Sequence, residues 1–387
     1  MLLLRSIKQK LQTSGFDLCH PIHTAWYNHM IQSEGLVESG ALKLLPEPSL
    51  SIIQSDEVGC DGDSSGCVLP SSYNAVLIGN TKAVWPSFID WLAMKVEEKK
   101  GRQDSVSGGN ISTQHETAVD DVINSNPFDT YCEESLSQSL QELCCEKDTS
   151  KKIASYELFW SNGKRQKFST NSAAAQHDDD DDDDVSRNNE AKQQYHCFDN
   201  KQNSFLVSMQ RIASASGQYW HDEENTKLCV HPVHGTWMAF RALVIFETEH
   251  SDLNVNISSG SNTVPLPSPC PCPLSEEEMT EAKEIFDYAL EMNTSGQGNN
   301  NIGSYGTQSN KTWDELCTYL HNQVCKGSDW DEVPESMKPW IELRNAISVG
   351  RSDWKYDEAQ LLYHYTKDPN ILRRELERVQ CIENESK

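Results

Sequence analysis

Residues 228–246 read LCVHPVHGTWMAFRALVIF, and the fold turns on whether its second half is a buried strand. From Trp237 to Phe246 the run is too continuously apolar for a strand with one wet face, so both faces must be covered by other layers. A strand of that kind calls for a layered domain rather than a repeat or a bundle. Arg241 is the exception within it. Counting in twos, Arg241 shares a face with Trp237, Ala239, Leu243 and Ile245, where an unpaired guanidinium costs on the order of several kcal/mol. Either an internal carboxylate meets it or it opens into a pocket, and the residues alone leave both open.

Upstream of that strand, NAVLIGN (74–80) is a second apolar strand, followed by a helical pattern with Val84, Phe88, Trp91, Leu92 and Lys95 to Val96 on one face. SFLVSMQRIASASGQYW (204–220) reads as a helix running into Tyr219, with Phe205, Met209, Ile212 and Ala213 on one side. Downstream, Ser275 and Glu278 form a capping box for a helix whose stripe is Met279, Ala282, Phe286 and Leu290. A further helix over 312–327 would bury Trp313, Leu316, Leu320 and Val324, and Asp368-Pro369 opens a last one. Early and middle strands, interleaved helices and a helical end make this an α+β protein.

Of the 387 residues only 37% are hydrophobic, so the core is smaller than the length suggests. Four stretches, 55–73, 100–124, 163–200 and 292–311, are rich in Gly, Ser, Asn or charge and read as disordered insertions without periodicity. The third carries seven consecutive aspartates after His177, a pattern of a solvated loop rather than a cation site. Residues 1–12 and 383–387 read as tails around one domain over 13–382. Lys plus Arg number 33 against 59 Asp plus Glu, a formal charge of −26, which argues against nucleic acid or an anionic membrane as partner. Thirteen irregularly spaced cysteines fit a reducing, cytoplasmic setting. No stretch approaches the ~18 apolar residues of a membrane span. The acid-free first sixteen residues leave a mitochondrial option.

Cys229, His231 and His234 raise a zinc reading, but C-x-H-x-x-H is no recognised ligand spacing, and Pro232 with Gly235 suffices to explain a turn. No Walker loop, dinucleotide fingerprint or G-x-S-x-G is present. Composition and spacing end there.

The blocks GFDLCHPIHTAWYNHM (15–30), NPFDTYC (126–132), YELFWSNGKRQKF (156–168), SASGQYW (214–220), CVHPVHGTWMAFRALVIF (229–246) and WKYDEAQLLYHYTKDP (354–369) occur in an order that resembles the methylmalonic aciduria and homocystinuria type C family. Members are cytosolic cobalamin-processing proteins, cyanocobalamin reductases that eliminate cyanide. The resemblance implies a nitroreductase-like α+β fold, an antiparallel or mixed sheet flanked by helices with a C-terminal helical cap. It also implies base-off cobalamin binding, flavin-dependent (FMN or FAD) decyanation, glutathione-dependent dealkylation, and delivery to the type D cobalamin-trafficking protein, as a monomer or ligand-dependent homodimer. The protein would then shape the pocket while the cofactor carries the chemistry.

By the same resemblance, Tyr219, Trp220 and His221 line the corrin. Cys229, Phe240 and the stretch Phe205, Leu206, Val207 and Ser208 add contacts, Ser155 stands where the family has an acid, and Tyr356 lies near the flavin. Arg241, Arg344 and Arg373 would hold the carboxylates of glutathione, for which a guanidinium fork is well shaped. No metal is expected from protein ligands, since cobalt arrives with cobalamin. Core aromatics and a buried thiol remain the ordinary alternatives for these residues. The family's glycine before the "VC" pair is Lys227 here, its second glycine before the tryptophan is Thr236, its helix histidine is Ile212, and Trp220 and His221 replace a tyrosine and a glutamine. Those departures leave a non-catalytic cobalamin carrier as the rival expectation.

Overall fold

The computed structural model describes residues 2–46, 53–54, 72–104, 111–145, 153, 155–169, 207–247, 266–295, 337–348 and 352–385. They form two compact units, one of residues 1–80, 136–219 and 239–270, the other of 81–135, 220–238 and 271–387.

The first unit is built on a five-stranded sheet. In chain order its strands are β1 (Leu18–Ile22), β4 (Ala75–Asn80), β5 (Ser155–Trp160), β6 (Arg165–Ser169) and β9 (Ala239–Glu247), with β2 (Ile53–Gln54) and β3 (Ser72–Tyr73) a separate pair. The spatial order is β1-β4-β9-β5-β6, every neighbour antiparallel. The apolar run ending at Phe246 is thus the middle strand. Its neighbours β4 and β5 are buried at all six positions each, as strands covered on both faces must be. Helix α1 (Leu2–Gln12) buries Ile7 and Leu11, so this stretch, expected to be a tail, packs on the core through those two residues. Helix α2 (Thr24–Ser33) is capped by His23, whose Nδ1 accepts the Ala25 N–H at 3.2 Å, and buries Trp26, Tyr27 and Ile31. Asn74 accepts the Thr24 N–H and donates to the Thr24 hydroxyl, both at 2.9 Å, pinning α2 to the start of β4.

The second unit is mainly helical. It holds α3 (Val84–Asp104), α4 (Ile111–Ile123) and the first half of α5 (Pro127–Cys145), whose second half belongs to the first unit. It continues with the ribbon β7 (Trp220–His221) and β8 (Cys229–Val230), then α7 (Glu276–Ser295), α8 (Lys338–Ile347), α9 (Glu358–Thr366) and α10 (Pro369–Glu385); the short α6 (Met209–Ala215) lies in the first unit. Phe88 of α3 is fully buried against Phe128, Tyr131 and Tyr363 at ring separations of 4.9, 5.6 and 6.2 Å. The capping box forms as expected: the Ser275 N–H donates to Glu278 at 2.7 Å and the Glu278 N–H to the Ser275 hydroxyl at 3.2 Å. The α7 stripe shifts, however. Ala282 and Ala289 are the buried positions, while Leu290 is exposed.

The α+β class and the antiparallel sheet agree with the sequence, but four boundaries move. Within 100–124, α3 continues to Asp104 and Ile111–Ile123 is helical, with Ala118 and Ile123 buried; sparse apolar residues sufficed where the polar ones hid the period. Arg165–Ser169 pairs with β5, Ser72–Tyr73 with β2, and α7 reaches Ser295. The aspartate run, the helix expected over 312–327, and Phe205 with Leu206 lie outside the described residues. Among the described residues, no helix is long and apolar enough to cross a membrane.

Candidate functional site

The boundary between the units falls between Tyr219 and Trp220, so the residues singled out in the sequence divide into two groups.

In the first unit the decisive feature is a bulge in β9. Ile78 pairs with Ala242 and Gly79 with Phe240, which leaves Arg241 as an extra residue against β4, while on the other side its carbonyl accepts the Ser161 N–H at 2.9 Å. The bulge interrupts simple alternation against β4 at this residue, while the pairing with β5 runs on in register through Ala242. Since Leu243 pairs with Leu77, and Leu77 and Gly79 share a face of β4, it is Phe240 that joins Leu243 on that face. Gly79 is what admits the bulge, because a Cβ there would sit 2.7 Å from the Ala239 carbonyl oxygen. Arg241 is half-buried, and its Nε donates to Oδ1 of Asn80, the fully buried last residue of β4, at 2.6 Å. A neutral amide fixes a guanidinium without adding negative charge.

Tyr219 reaches the same face from above. Helix α6 starts on Ser208, whose hydroxyl accepts the Arg211 N–H and whose own N–H donates to the Tyr27 hydroxyl, both at 3.4 Å. It was expected to run into Tyr219 but stops at Ser216. There Gly217 takes a φ of +71°, and a Cβ would fall 2.6 Å from the Ser268 carbonyl oxygen. The turned chain buries Tyr219 edge-on to Phe240 at 5.2 Å and to His20 at 5.1 Å. His20 pairs with Leu77, so His20, Phe240 and Tyr219 build one aromatic patch over β4, one residue from Arg241. Val207, just before this helix, and Ile212, within it, are buried. Ser155, at the start of β5, donates to Glu247, which also meets Lys167 at 3.1 Å. The Ser155 hydroxyl and then Lys167 hold the Glu247 carboxyl below its ordinary range, against the opposing effect of burial.

In the second unit Arg344 is the conspicuous group. Its guanidinium lies over the rings of Trp237 at 4.9 Å and Tyr356 at 5.3 Å and donates to the carbonyls of Thr236 and Met238, the latter at 3.1 Å. Its Nη1 stands 3.5 Å from the His364 ring. Burial works against its charge, but Tyr365 and Tyr356 outweigh this and push its pKa up. Among the described residues no carboxylate pairs with it. Thr236, in place of a glycine, is buried and uses its hydroxyl on Ser348 at 2.9 Å. Arg373, by contrast, forms an ion pair with Asp120 of α4.

Trp220 and His221 form the β7 half of the ribbon. Trp220 packs on Val230, Ala282, Leu343 and Ile347, and His221 stands 3.1 Å from Glu223. Cys229 is buried opposite His221. His231 uses its Nδ1 to accept the N–H groups of Val233 and His234 at 3.0 and 3.2 Å, which closes the turn and places the proton of a neutral ring on Nε2. Among the described residues, no three His, Cys, Asp or Glu side chains are grouped to hold a metal ion.

Four partners went unremarked in the sequence: Asn80, His20, Trp237 as a platform, and Asp222, which anchors the loop between β7 and β8. Asp222 had a local signal, since Asn225 and Thr226 follow at the spacing of a side-chain-closed loop. Asn80 and His20 had none, because what brings them to Arg241 and Tyr219 is cross-strand pairing.

No family model matches the chain, and no curated protein matches it. Among solved structures, it is similar to a C. elegans B12-trafficking protein, CblC, described as a homologue of human MMACHC. The TM-score is 0.45 at 14% identity, over 96% of this chain and 94% of that one.

Proposed function

We propose that this protein is a cobalamin-processing enzyme of a nitroreductase-like fold, acting as one functional domain on base-off cobalamin with a reduced flavin and glutathione as co-reactants. The observation that carries the reading is the Tyr219–Phe240–His20 patch beside the bulged Arg241. A corrin would meet this patch at the half-buried Phe240, and the next residue along the strand, Arg241, is of a type suited to a carboxylate. The ordered sequence blocks support the same reading. Of the arginines that the resemblance assigns to glutathione, Arg344 is held by carbonyls and aromatic faces, an arrangement that orients a cation without cancelling it, and Arg241 bonds the Asn80 amide. Flavin would supply electrons for cyanide release, and glutathione thiolate would accept the alkyl group. The chain's own part is to orient and exclude water. The product would pass to the type D trafficking protein in the cytoplasm.

One observation favours the carrier reading: Arg373 already has Asp120 as its counter-ion, so one of the three cations is engaged. The readings separate when the protein is incubated anaerobically with cyanocobalamin and a reduced flavin. An enzyme releases cyanide faster than flavin alone, whereas a carrier matches the protein-free control.

A further inference from the structure

We infer that Lys355 is the ligand-facing cation of an oxyanion site in the second unit, with Arg344 beside it on the same indole supplying charge rather than hydrogen bonds. The inference rests on the proposed function for its two candidate oxyanions, the carboxylates of glutathione and the phosphate of the flavin, and names the group that meets them.

Both bidentate forks of a guanidinium use Nη2, one with Nε and one with Nη1. In Arg344 the two Nη2 hydrogens go to the carbonyls of Thr236 and Met238, so neither fork is open to a carboxylate. Its charge is not cancelled, because those carbonyls, the phenols of Tyr356 and Tyr365 and the ring of Trp237 carry none that is negative. An anion drawn to this charge needs donors from another residue. Lys355 has them. Its Nζ lies 5.8 Å from the centre of the Trp237 ring, over which the Arg344 guanidinium lies at 4.9 Å, so two cations share one buried indole. Lys355 is half-buried, and among the described residues it has no hydrogen bond and no ion pair. The exposed Asp353 and Asp357 flank it in sequence, yet neither pairs with it. Its three ammonium donors are thus uncommitted, and a compact, rotatable point charge suits a carboxylate or a phosphate alike. Two like charges on one ring with no carboxylate paired to either among the described residues repel each other, and an oxyanion placed against Lys355 relieves that repulsion.

The test uses the full-length protein as wild type, as Lys355→Met, which keeps the stem on the ring and removes the charge, and as Lys355→Arg. Binding of FMN against riboflavin, and of glutathione against its diethyl ester, is read by titration calorimetry, with thermal unfolding followed for each variant. The expected result is a Kd raised about tenfold in Lys355→Met for the anion the site takes, the scale of one charge-assisted hydrogen bond. The counterpart lacking the anionic group should stay within about twofold, and Lys355→Arg should recover most of the loss. A loss for FMN but not riboflavin assigns the site to the phosphate, and a loss for glutathione but not its diester assigns it to the carboxylates. Lys355→Met that binds both anions within about twofold of wild type overturns the inference, the mark of a lysine that only rests its stem on the ring. So does an equal loss for an anion and its counterpart. Wild-type protein that binds neither anion overturns the proposed function along with the inference, and is recognised by having no affinity to lose.

Discussion

Replacing Asp222 by asparagine should destabilise the protein near neutral pH by about 2–4 kcal/mol, and the penalty should shrink in acid. Asp222 is 4% exposed and accepts four hydrogen bonds: from the N–H and side-chain amide of Asn225, each at 3.1 Å, and from the N–H and hydroxyl of Thr226 at 2.7 and 2.8 Å. An asparagine retains one accepting oxygen, and its NH2 faces a pair of donors, so about two of the four bonds are lost at roughly 1–2 kcal/mol each. Burial alone would push the Asp222 carboxyl up, but the bonds from Thr226 and Asn225 outweigh it and hold it below the usual carboxylate range. A carboxyl lowered in the folded state stabilises fully above its unfolded pKa of about 3.9, and that contribution fades as pH falls through the folded value. Urea unfolding of wild type and Asp222→Asn, followed by tryptophan fluorescence, should therefore show the gap at pH ~7 and its progressive narrowing below pH ~4. A gap under ~0.5 kcal/mol at neutral pH, or one independent of pH, would refute this account of the loop.

In the same loop Lys227 adopts a φ of +59°, so Lys227→Gly should raise stability by about 0.5–1 kcal/mol in the same unfolding assay. Gly79→Ala should cost about 2–4 kcal/mol, because its Cβ meets main chain rather than a movable side chain, and should weaken glutathione binding with it. Burial pushes the Cys19 thiol up to about 12, so alkylation at pH ~8 mapped by mass spectrometry should label the exposed Cys272 and Cys381 and leave Cys19 until the chain unfolds.

What the sequence disclosed follows from where its information lies. The central strand was legible because a long apolar run admits little else, and the α7 start because a capping box is a local pattern of two residues three apart. The bulge was not, since alternation along one strand contains nothing about the partner's register; only Gly79, across the sheet, marks it. The platform under Arg344 joins Trp237 and Tyr356, more than a hundred positions apart, and no spacing rule links them. Arg241 was singled out as anomalous from its charge in an apolar run, and the structure adds that the residue is itself the irregularity in the strand. The left-handed backbone at Lys227 was not legible either, since lysine carries no signal for a positive φ.

The most direct test is the visible spectrum of methylcobalamin mixed with the protein at neutral pH, in wild type and in Phe240→Ala. A protein that lays the corrin against the half-buried Phe240 and leaves its benzimidazole detached shifts the absorption to the base-off form, and the truncated phenylalanine weakens that shift by about tenfold in Kd or more, the scale of losing one aromatic contact. A wild-type spectrum that stays base-on at saturating protein would contradict the account.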